Sequence, residues 1–540
     1  MDTGRYEAES RKHLREKAEM AEQEQESFLF DVLRRQSDTV YGREHDFASL
    51  RSLEVFQDTL PFTEFSDMEP YMQREVAGER GVLLSEKPYF FCISSGSTGA
   101  PKYLPIGRED AALQHLYLDG AIPAMIEEKI SPGRRCRFAT TDVFRTFMED
   151  GTLSGVRSGM SANLALEEGR FPFLEYYAPR EVLFPGTLSD MSYVKLRFAL
   201  DRGDITSLEG VFVNSLVSLL RYMLSHWEEL LFDMERGTVG ESFAIGERWK
   251  RYIEERLPPN PERARYLRGI WPGQEEGLLS LIWPELRYVS TICGMQFVPY
   301  GKILRRLSGH LPVHSFAYAA SEGFIGIAYG MDMSGTYILL PDTCFYEFIS
   351  EEGSALLLSE VCLGRRYELA ITTRSGLYRY RTGDVVEVVG FYRNTPLIRV
   401  CYRKDLVISI VDEKYNALQF DEAMEEFFRR CHLTSSPYCV RGDYEGELPR
   451  YKLYIETKEE LPERAEEVLE EMLEKMSLAY STERQMQEIG PAHIALLQEG
   501  SFSLYEKKLL SRGLRREQRK PLRIVNKEKD ILFFEGRVKR

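Results

Sequence analysis

No stretch of this 540-residue chain stays apolar for long. The longest runs, Tyr89–Ile93 and Leu278–Trp283, fall far short of the roughly 20 residues a spanning helix needs. A helical membrane protein is therefore not expected. Cysteine is scarce and scattered: eight residues, at 92, 136, 293, 344, 362, 401, 431 and 439, with no C-x-x-C among them. That spacing speaks against a zinc ribbon, a dithiol redox motif or a disulfide scaffold, and reduced thiols in a cytoplasmic protein are the expectation. Histidine is equally sparse, with eight residues and no H-E-x-x-H, so no protein-built metal cage is in view. Positive charge is in deficit, with 70 Lys and Arg against 85 Asp and Glu, a net charge of −15 and a pI near 5.3. Such a surface repels a phosphate backbone, which argues against general nucleic-acid binding. The first ten residues lack an apolar core and read as neither a secretory signal nor a myristoylation site. Internal repeats and low-complexity segments are absent too, which sets solenoid architectures aside.

What remains is an ordinary globular composition, 43% hydrophobic and 29% charged, in a chain long enough for two or three domains. Residues 5–36 read as one N-terminal helix. Its apolar stripe starts at Phe28 and continues through Leu29, Phe30, Val32 and Leu33, behind a charged, solvated first part. Short polar helices and turns are expected over 53–84, then a buried strand at Tyr89–Ile93. The middle, 190–310, is mostly helical, with Phe212, Leu216, Leu219, Leu220, Met223 and Trp227 at the spacing of a buried helix face. From 337 to 411 the texture turns to strands: Thr336–Leu340, Cys344–Ile349, Ala355–Leu358, Tyr367–Thr372 and Val385–Phe391, punctuated by glycines. Beyond Asp412, helix and strand mix again. An acidic helix around Glu459–Lys475 precedes a basic tail in which 13 Lys and Arg face 5 Asp and Glu over Glu506–Arg540. That tail fits a polyanionic small ligand or the acidic body better than nucleic acid.

Three motifs carry candidate chemistry. Ser94-Ser-Gly-Ser-Thr-Gly-Ala-Pro-Lys102 follows the apolar run and supplies hydroxyls, unhindered backbone N–H groups and one cation, the parts that cradle phosphates. It is not a Walker A loop, because Pro101 and Tyr103 stand where glycine and Ser/Thr would be required. Tyr318-Ala-Ala-Ser-Glu-Gly323 offers an aromatic ring for a base and a carboxylate for a divalent cation on phosphate oxygens. Tyr378-Arg-Tyr-Arg-Thr-Gly-Asp384 places an aspartate after a glycine, a good acceptor for ribose hydroxyls. Taken singly, each has a plainer reading: a Ser/Gly turn, a strand-end turn and a turn cap.

In this order and at these separations the three motifs resemble the adenylate-forming superfamily of acyl-CoA synthetases, firefly luciferase and peptide-synthetase adenylation domains. Within it the chain resembles the auxin-responsive (Gretchen Hagen) family of acyl acid amido synthetases over nearly its whole length. Further points of likeness are Thr39-Val-Tyr-Gly-Arg43, Phe56–Pro61, Tyr71-Met-Gln-Arg74, Phe184-Pro-Gly-Thr-Leu, Trp283-Pro-Glu-Leu286 and Gly376-Leu-Tyr-Arg-Tyr-Arg-Thr-Gly-Asp384. The resemblance implies a mixed α/β fold. It has a large N-terminal adenylate-forming domain (1–405), with sheets and a β-barrel-like subdomain flanked by helices, and a small α/β C-terminal lid (406–540). It also implies roles. Ser94, Ser95, Gly96, Ser97, Thr98, Gly99 and Lys102 match the phosphate loop, Tyr318 lies against adenine and Ser321 by the α-phosphate. Glu322 matches the magnesium ligand, Asp384 the ribose-binding aspartate and Arg403 the arginine at the hinge. Lys520, in Gln518-Arg-Lys-Pro-Leu-Arg523, matches the lysine that reaches the α-phosphate and the acyl carboxylate. The family more often has glycine in place of Tyr402, and Pro521 stands one place early.

The implied reaction uses ATP and Mg²⁺ to activate a small carboxylic acid as an acyl-adenylate, then passes the acyl group to an amino acid or other amine. Lys520, Glu322 and Lys102 would carry the catalysis. An acyl-CoA ligase working through the same adenylate, or a homologue that binds ATP without turnover, are the alternatives. The acyl pocket is expected within 115–165 and around Met295–Val298, where Arg145 and Arg157 read equally as carboxylate partners or as ordinary surface arginines. A cytoplasmic monomer, with neither nucleic acid nor membrane as partner, completes the expectation.

Overall fold

Hydrophobic periodicity resolves into layered sheets and helices in the computed structural model, which describes residues 3–95, 101–130, 136–139, 146–185, 191–241, 243, 245–270, 275–293, 298–404, 407–408, 410, 413, 415–445, 448–485, 489–511 and 522–539. The architecture is mixed α/β and falls into two units. The first comprises Met1–Ser94, Pro101–Thr382 and Val386–Val400, and the second is built on Cys401–Arg540 together with Gly383–Val385. Among the described residues no helix is long and apolar enough to cross a membrane.

In the first unit β1 (Phe90–Ser95) and β2 (Pro101–Ile106) share a small sheet with β4 (Thr146–Phe147) and β5 (Leu153–Gly155), in the order β2-β1-β5-β4. A second sheet is wholly parallel. It joins β3 (Arg137–Ala139), β6 (Ser207–Phe212), β7 (Tyr288–Ile292) and β8 (Val313–His314) in that order. Parallel neighbours need long crossovers, and the helical middle of the chain supplies them. The helix Val213–Ser225 buries Leu216, Leu219, Leu220 and Met223, while Trp227 opens the next helix, Trp227–Arg236, and is buried too. Each such side chain removed from water contributes on the order of 1.5–3 kcal/mol.

The expected strands of 337–411 form one eight-stranded sheet with two strands preceding them. It comprises β9 (Ala317–Ala319), β10 (Phe324–Ala328), β11 (Thr336–Leu339), β12 (Phe345–Ile349), β13 (Ala355–Leu356), β14 (Arg366–Thr372), β15 (Tyr380–Tyr392) and β16 (Thr395–Arg403), ordered β13-β12-β14-β15-β16-β11-β10-β9. The motif before β15 is pinned from both sides. Tyr378 is buried and stacks on Tyr41, with centroids 4.9 Å apart and planes at 12°. Gly42, beside Tyr41, lies so close to Gln36 that a Cβ would fall 2.0 Å from that carbonyl oxygen. Arg379 takes φ 45°, in the left-handed region. Its guanidinium donates to both carboxylate oxygens of Glu347 (3.0 and 2.8 Å) and to the carbonyls of Gln57 and Leu60. Two motifs far apart in sequence are thus one packed unit.

The N-terminal segment departs from expectation. It forms two helices, Thr3–Glu19 and Ala21–Arg35, and the first is not merely solvated: Ser10, Leu14 and Ala18 are fully or almost fully buried. Leu14 joins a cluster with Tyr117 and Ala121, and a Cβ on Gly120 would lie 2.2 Å from Ser10 Oγ. The buried stripe is narrow and, apart from Leu14, made of small or polar residues, which is why apolar periodicity alone leaves it out.

In the second unit β17 (Val407–Ile408) pairs with β18 (Tyr415–Asn416). Then β19 (Tyr438–Asp443), β20 (Arg450–Ile455) and β21 (His493–Leu496) form a mixed sheet, antiparallel then parallel. The helices Ala417–Arg430 and Ala465–Met476 pack over it through Phe420, Phe427, Leu469 and Leu473. The first is capped reciprocally: the Asn416 side chain accepts from Gln419 N (3.0 Å) and the Gln419 side chain from Asn416 N (2.9 Å). The described basic tail is partly used inside this unit, with Arg523 paired to Asp421 and Ile524 bridged to Val440.

Removing Arg379 strands a buried carboxylate, at a cost of about 3–5 kcal/mol. Arg379→Met is expected to lower the urea midpoint of the first unit by a matching amount, and Arg379→Met with Glu347→Leu to recover most of it. An unshifted midpoint in the single variant would show that the pair does not support the fold. A second expectation concerns pH. Burial, then Lys129, outweighs Asp332 and holds the His314 imidazole down at about 4 from its ordinary 6.5. Between those values the unfolded chain binds the proton more readily. Stability therefore falls as pH drops from 6.5 towards 4, by at most about 1.4 kcal/mol per pH unit. Urea midpoints measured at pH 7 and pH 5 should differ in the wild type by more than in His314→Leu.

Candidate active site

β1 carries the chain to Ser94 and Ser95, and Gly96, Ser97, Thr98 and Gly99 lie outside the described residues. Lys102, on β2, holds its ammonium 3.5 Å over the Phe65 ring. The best-defined convergence sits one step earlier along β1, at Cys92. Burial pushes its thiol up to about 11, and Arg157, Ser321 and Glu322 are the groups that act on it. Arg157 opens the helix Arg157–Glu167, and its Nη1 donates to the Ser321 carbonyl (3.1 Å). Gln114 fixes that arginine from behind, accepting from its Nε and donating to its carbonyl, both at 3.0 Å. The turn at Ser321 and Glu322 then runs into Gly323, where a Cβ would come within 3.1 Å of Cys344 Sγ and Ile371 Cδ1. A larger residue would have to push those side chains back by a few tenths of an ångström.

Ser321 and Glu322 are half-buried, and Glu322 forms no ion pair among the described residues. Tyr318, on β9, is buried, with the Tyr337 ring centroid 5.8 Å away. Asp384 lies on β15 and is buried, with Arg403 Nε 4.0 Å from its Oδ1 at the end of β16. Gly383 before it takes φ 76°. Lys520 lies outside the described residues. The structure thus gathers Ser321, Glu322 and the end of β1 around Arg157, and sets Asp384 beside Arg403.

Next to Arg157 along the chain, a cavity of about 210 Å³ opens between one face of the parallel sheet and the helix Arg157–Glu167. Ser158, Ser161, Ala162 and Ala165 face it from the helix, Arg137, Ala139, Glu209, Tyr288 and Ser290 from the strands, and Phe171, Tyr176, Phe184 and Phe316 from the loops. The expected 115–165 wall is present. Arg145 and Met295–Phe297 lie outside the described residues, as does the side chain of Val298. His115 Nδ1 lies 2.9 Å from Asp119 Oδ2 and 3.1 Å from Ser161 Oγ, and Ser161 donates to the same aspartate. One ring nitrogen faces both partners, so this is a half-buried polar brace and not a nucleophilic relay. Burial alone would raise the Asp119 carboxyl; the hydrogen bonds of His115 and Ser161 outweigh it and hold it below its usual range.

Arg137 and Glu209 escaped the sequence reading. Burial works against the Arg137 charge, but Glu209, Tyr176, Tyr288 and Glu175 outweigh it and keep the guanidinium protonated. The available signal was a charged residue inside Cys136-Arg-Phe-Ala and Ser207-Leu-Glu-Gly-Val-Phe, strands of a parallel sheet that ordinarily read as unbroken apolar runs.

The sequence pattern of the GH3 family N-terminal domain matches residues 10–313, that of the central domain 337–403 and that of the C-terminal domain 418–529. The chain belongs to the GH3 family. Among its relatives is the probable indole-3-acetic acid-amido synthetase GH3.1 of Arabidopsis thaliana, 26% identical, with 98% of this chain and 94% of the relative covered. Another is the jasmonoyl–L-amino acid synthetase GH3.5 of Oryza sativa subsp. japonica, 27% identical over 93% of this chain and 92% of the relative. Of solved structures, the AtGH3.15 acyl acid amido synthetase in complex with 2,4-DB superposes with a TM-score of 0.84 at 24% identity, covering 100% of this chain and 97% of that one. That likeness shows the GH3 fold. The cavity and the Arg157–Ser321 contact both lie within the N-terminal domain of this GH3 chain or immediately after it.

Proposed function

We propose that this GH3 protein activates a small carboxylic acid with ATP as an acyl-adenylate and passes the acyl group to the amine of an amino acid. The enzyme is an adenylate-forming ligase of the acyl acid amido synthetase type. The observation that carries the specific reading is the cavity, which adjoins the arginine that grips the Ser321–Glu322 turn. An apolar chamber with a few placed polar groups suits an organic acid.

A carboxylate is a poor electrophile, since its leaving group would be oxide. Attack of a carboxylate oxygen on the α-phosphorus breaks the bond to pyrophosphate and leaves AMP as the group that the amine then displaces. No enzyme nucleophile is needed, in accord with the braced His115–Asp119–Ser161 set. In this reading the 94–99 loop and Lys102 hold phosphates, Ser321 lies by the α-phosphate, Tyr318 flanks adenine, and Asp384, with Arg403, takes the ribose. Mg²⁺, when bound, neutralises charge developing on the phosphate oxygens. Glu322 would hold it, being a half-buried carboxylate outside any described ion pair. Among the described residues there is no cluster of three or more His, Cys, Asp and Glu to build a metal cage unaided. Lys520 reaches the reacting carboxylate from the 406–540 lid, which reorients between half-reactions. Free cysteines throughout support a cytoplasmic setting, and the working form is a monomer.

ATP–pyrophosphate exchange across a panel of acids should be acid-dependent, and AMP release should then follow addition of amino acids. Acid-dependent exchange followed by thioester formation with CoA alone would replace the amide reading by a ligase one. Glu322→Gln is expected to lower kcat/KM for Mg-ATP by about a hundredfold or more while the protein stays folded. Wild-type turnover in that variant would remove Glu322 from the metal site.

A further inference from the structure

The geometry points to a substrate preference inside the cavity: we infer that Arg137 and Glu209 select a compact ring acid carrying a hydroxyl at the end opposite its carboxylate. The inference rests on the acyl-acid reading of the cavity given above.

The sheet register orients the chamber. Arg137 pairs with Ser207 and Ala139 with Glu209, while Ser207 pairs with Tyr288 and Glu209 with Ser290. Alternation puts Arg137 and Tyr288 in one row on the cavity face, Glu209 and Ser290 in the next, and Val211 beyond. The rows run towards the strands' carboxyl ends, from which β8 leads through Phe316 to Tyr318, Ser321 and Glu322. Ligands of parallel sheets approach from that side. The opposing helix agrees, since it starts at Arg157, on Ser321, and passes Ser158 and Ser161 before Ala165. Tyr176 closes the far end, bridged to Arg137 through the backbone. The arginine row is therefore the end remote from the adenylating turn.

That end is unusual in its polarity. Arg137 is held at ion-pair distances, Nη2 3.4 Å from Glu175 and Nε 3.9 Å from Glu209, and its buried Nε has no hydrogen-bond acceptor among the described residues. Glu209 accepts from Ser207 Oγ at 2.8 Å. A buried guanidinium donor left unmatched is costly, so a ligand that supplies an acceptor gains from the site. A bare hydrocarbon supplies none. A second carboxylate supplies one but meets the like charge of Glu209 on the cavity face. A hydroxyl accepts from Arg137 and donates to Glu209. The volume of about 210 Å³ accommodates a single substituted ring, since an apolar cavity of about 150 Å³ takes one benzene ring.

The test uses benzoic, phenylacetic and 3-phenylpropanoic acids, each also as its 4-hydroxyl and 4-carboxyl derivative, with the full-length protein. Binding is read by calorimetry and activation by pyrophosphate exchange. For at least one length the 4-hydroxyl acid should surpass its parent by about a hundredfold in kcat/KM, with the 4-carboxyl acid the poorest of the three. Glu209→Gln, which keeps the side-chain shape, should shrink the hydroxyl-to-parent ratio to within about threefold; Arg137→Lys should do the same if it folds. Equal use of parent and hydroxyl acid at every length, or an undiminished ratio in Glu209→Gln, overturns the inference. Exchange without hydroxyl preference does so while leaving adenylation standing. Hydroxyl-dependent binding without exchange supports the pocket and overturns adenylation, and neither binding nor exchange overturns both.

Discussion

The buried pair of Arg379 with Glu347 is the constraint on which the first unit depends. A guanidinium and a carboxylate, both almost wholly removed from water, are tolerable only when nearly every donor and lone pair is used. Here Gln57 donates to the same carboxylate at 3.0 Å, the Gln57 and Leu60 carbonyls accept from the arginine, and the Phe62 ring centroid lies 4.1 Å from the guanidinium carbon. The arginine's left-handed backbone persists because these contacts over-determine it. Thr63 then exchanges backbone hydrogen bonds with residues 379 and 381, so the segment entering β15 is held on both flanks. Asp384 follows three residues after Arg381 on that strand.

A second theme is how the protein keeps charge inside an apolar chamber. Asp119 is surrounded by a histidine and a serine and is well satisfied. Arg137 is balanced electrostatically but not fully hydrogen-bonded. The contrast divides the polar groups of one cavity into a structural brace and a recognition surface. Such asymmetry suits an enzyme whose chemistry rests on placing a substrate, because an unmatched donor rewards the right ligand and penalises the wrong one.

The second unit solves a similar problem by saturation. Glu535 receives Arg441, Lys452 and the Tyr454 hydroxyl; although burial works against it, these hold its carboxyl down at about 2. Tyr415, Phe420, Tyr451 and Tyr480 meet edge-on or tilted around one centre, with neighbouring centroids 5.2–5.8 Å apart. Of the basic tail, Arg523 is paired with Asp421, so its local excess of charge is not all available to a ligand.

Much was legible in the sequence because the signals were local. Strands at 336–391 announced themselves by composition and glycine punctuation, and the helix at 213–225 by its spacing. Those features depend on backbone preference and burial periodicity, which act over a few residues. The tertiary structure decided what depends on distant partners. It made Tyr378 and Arg379 the packing partners of Tyr41 and Glu347. It buried the small-residue stripe of the first helix. It also faced Arg137 and Glu209, 72 positions apart in the chain, onto one cavity. Pairing across a parallel sheet is set by crossovers of many residues, and no local pattern encodes which charges will meet there.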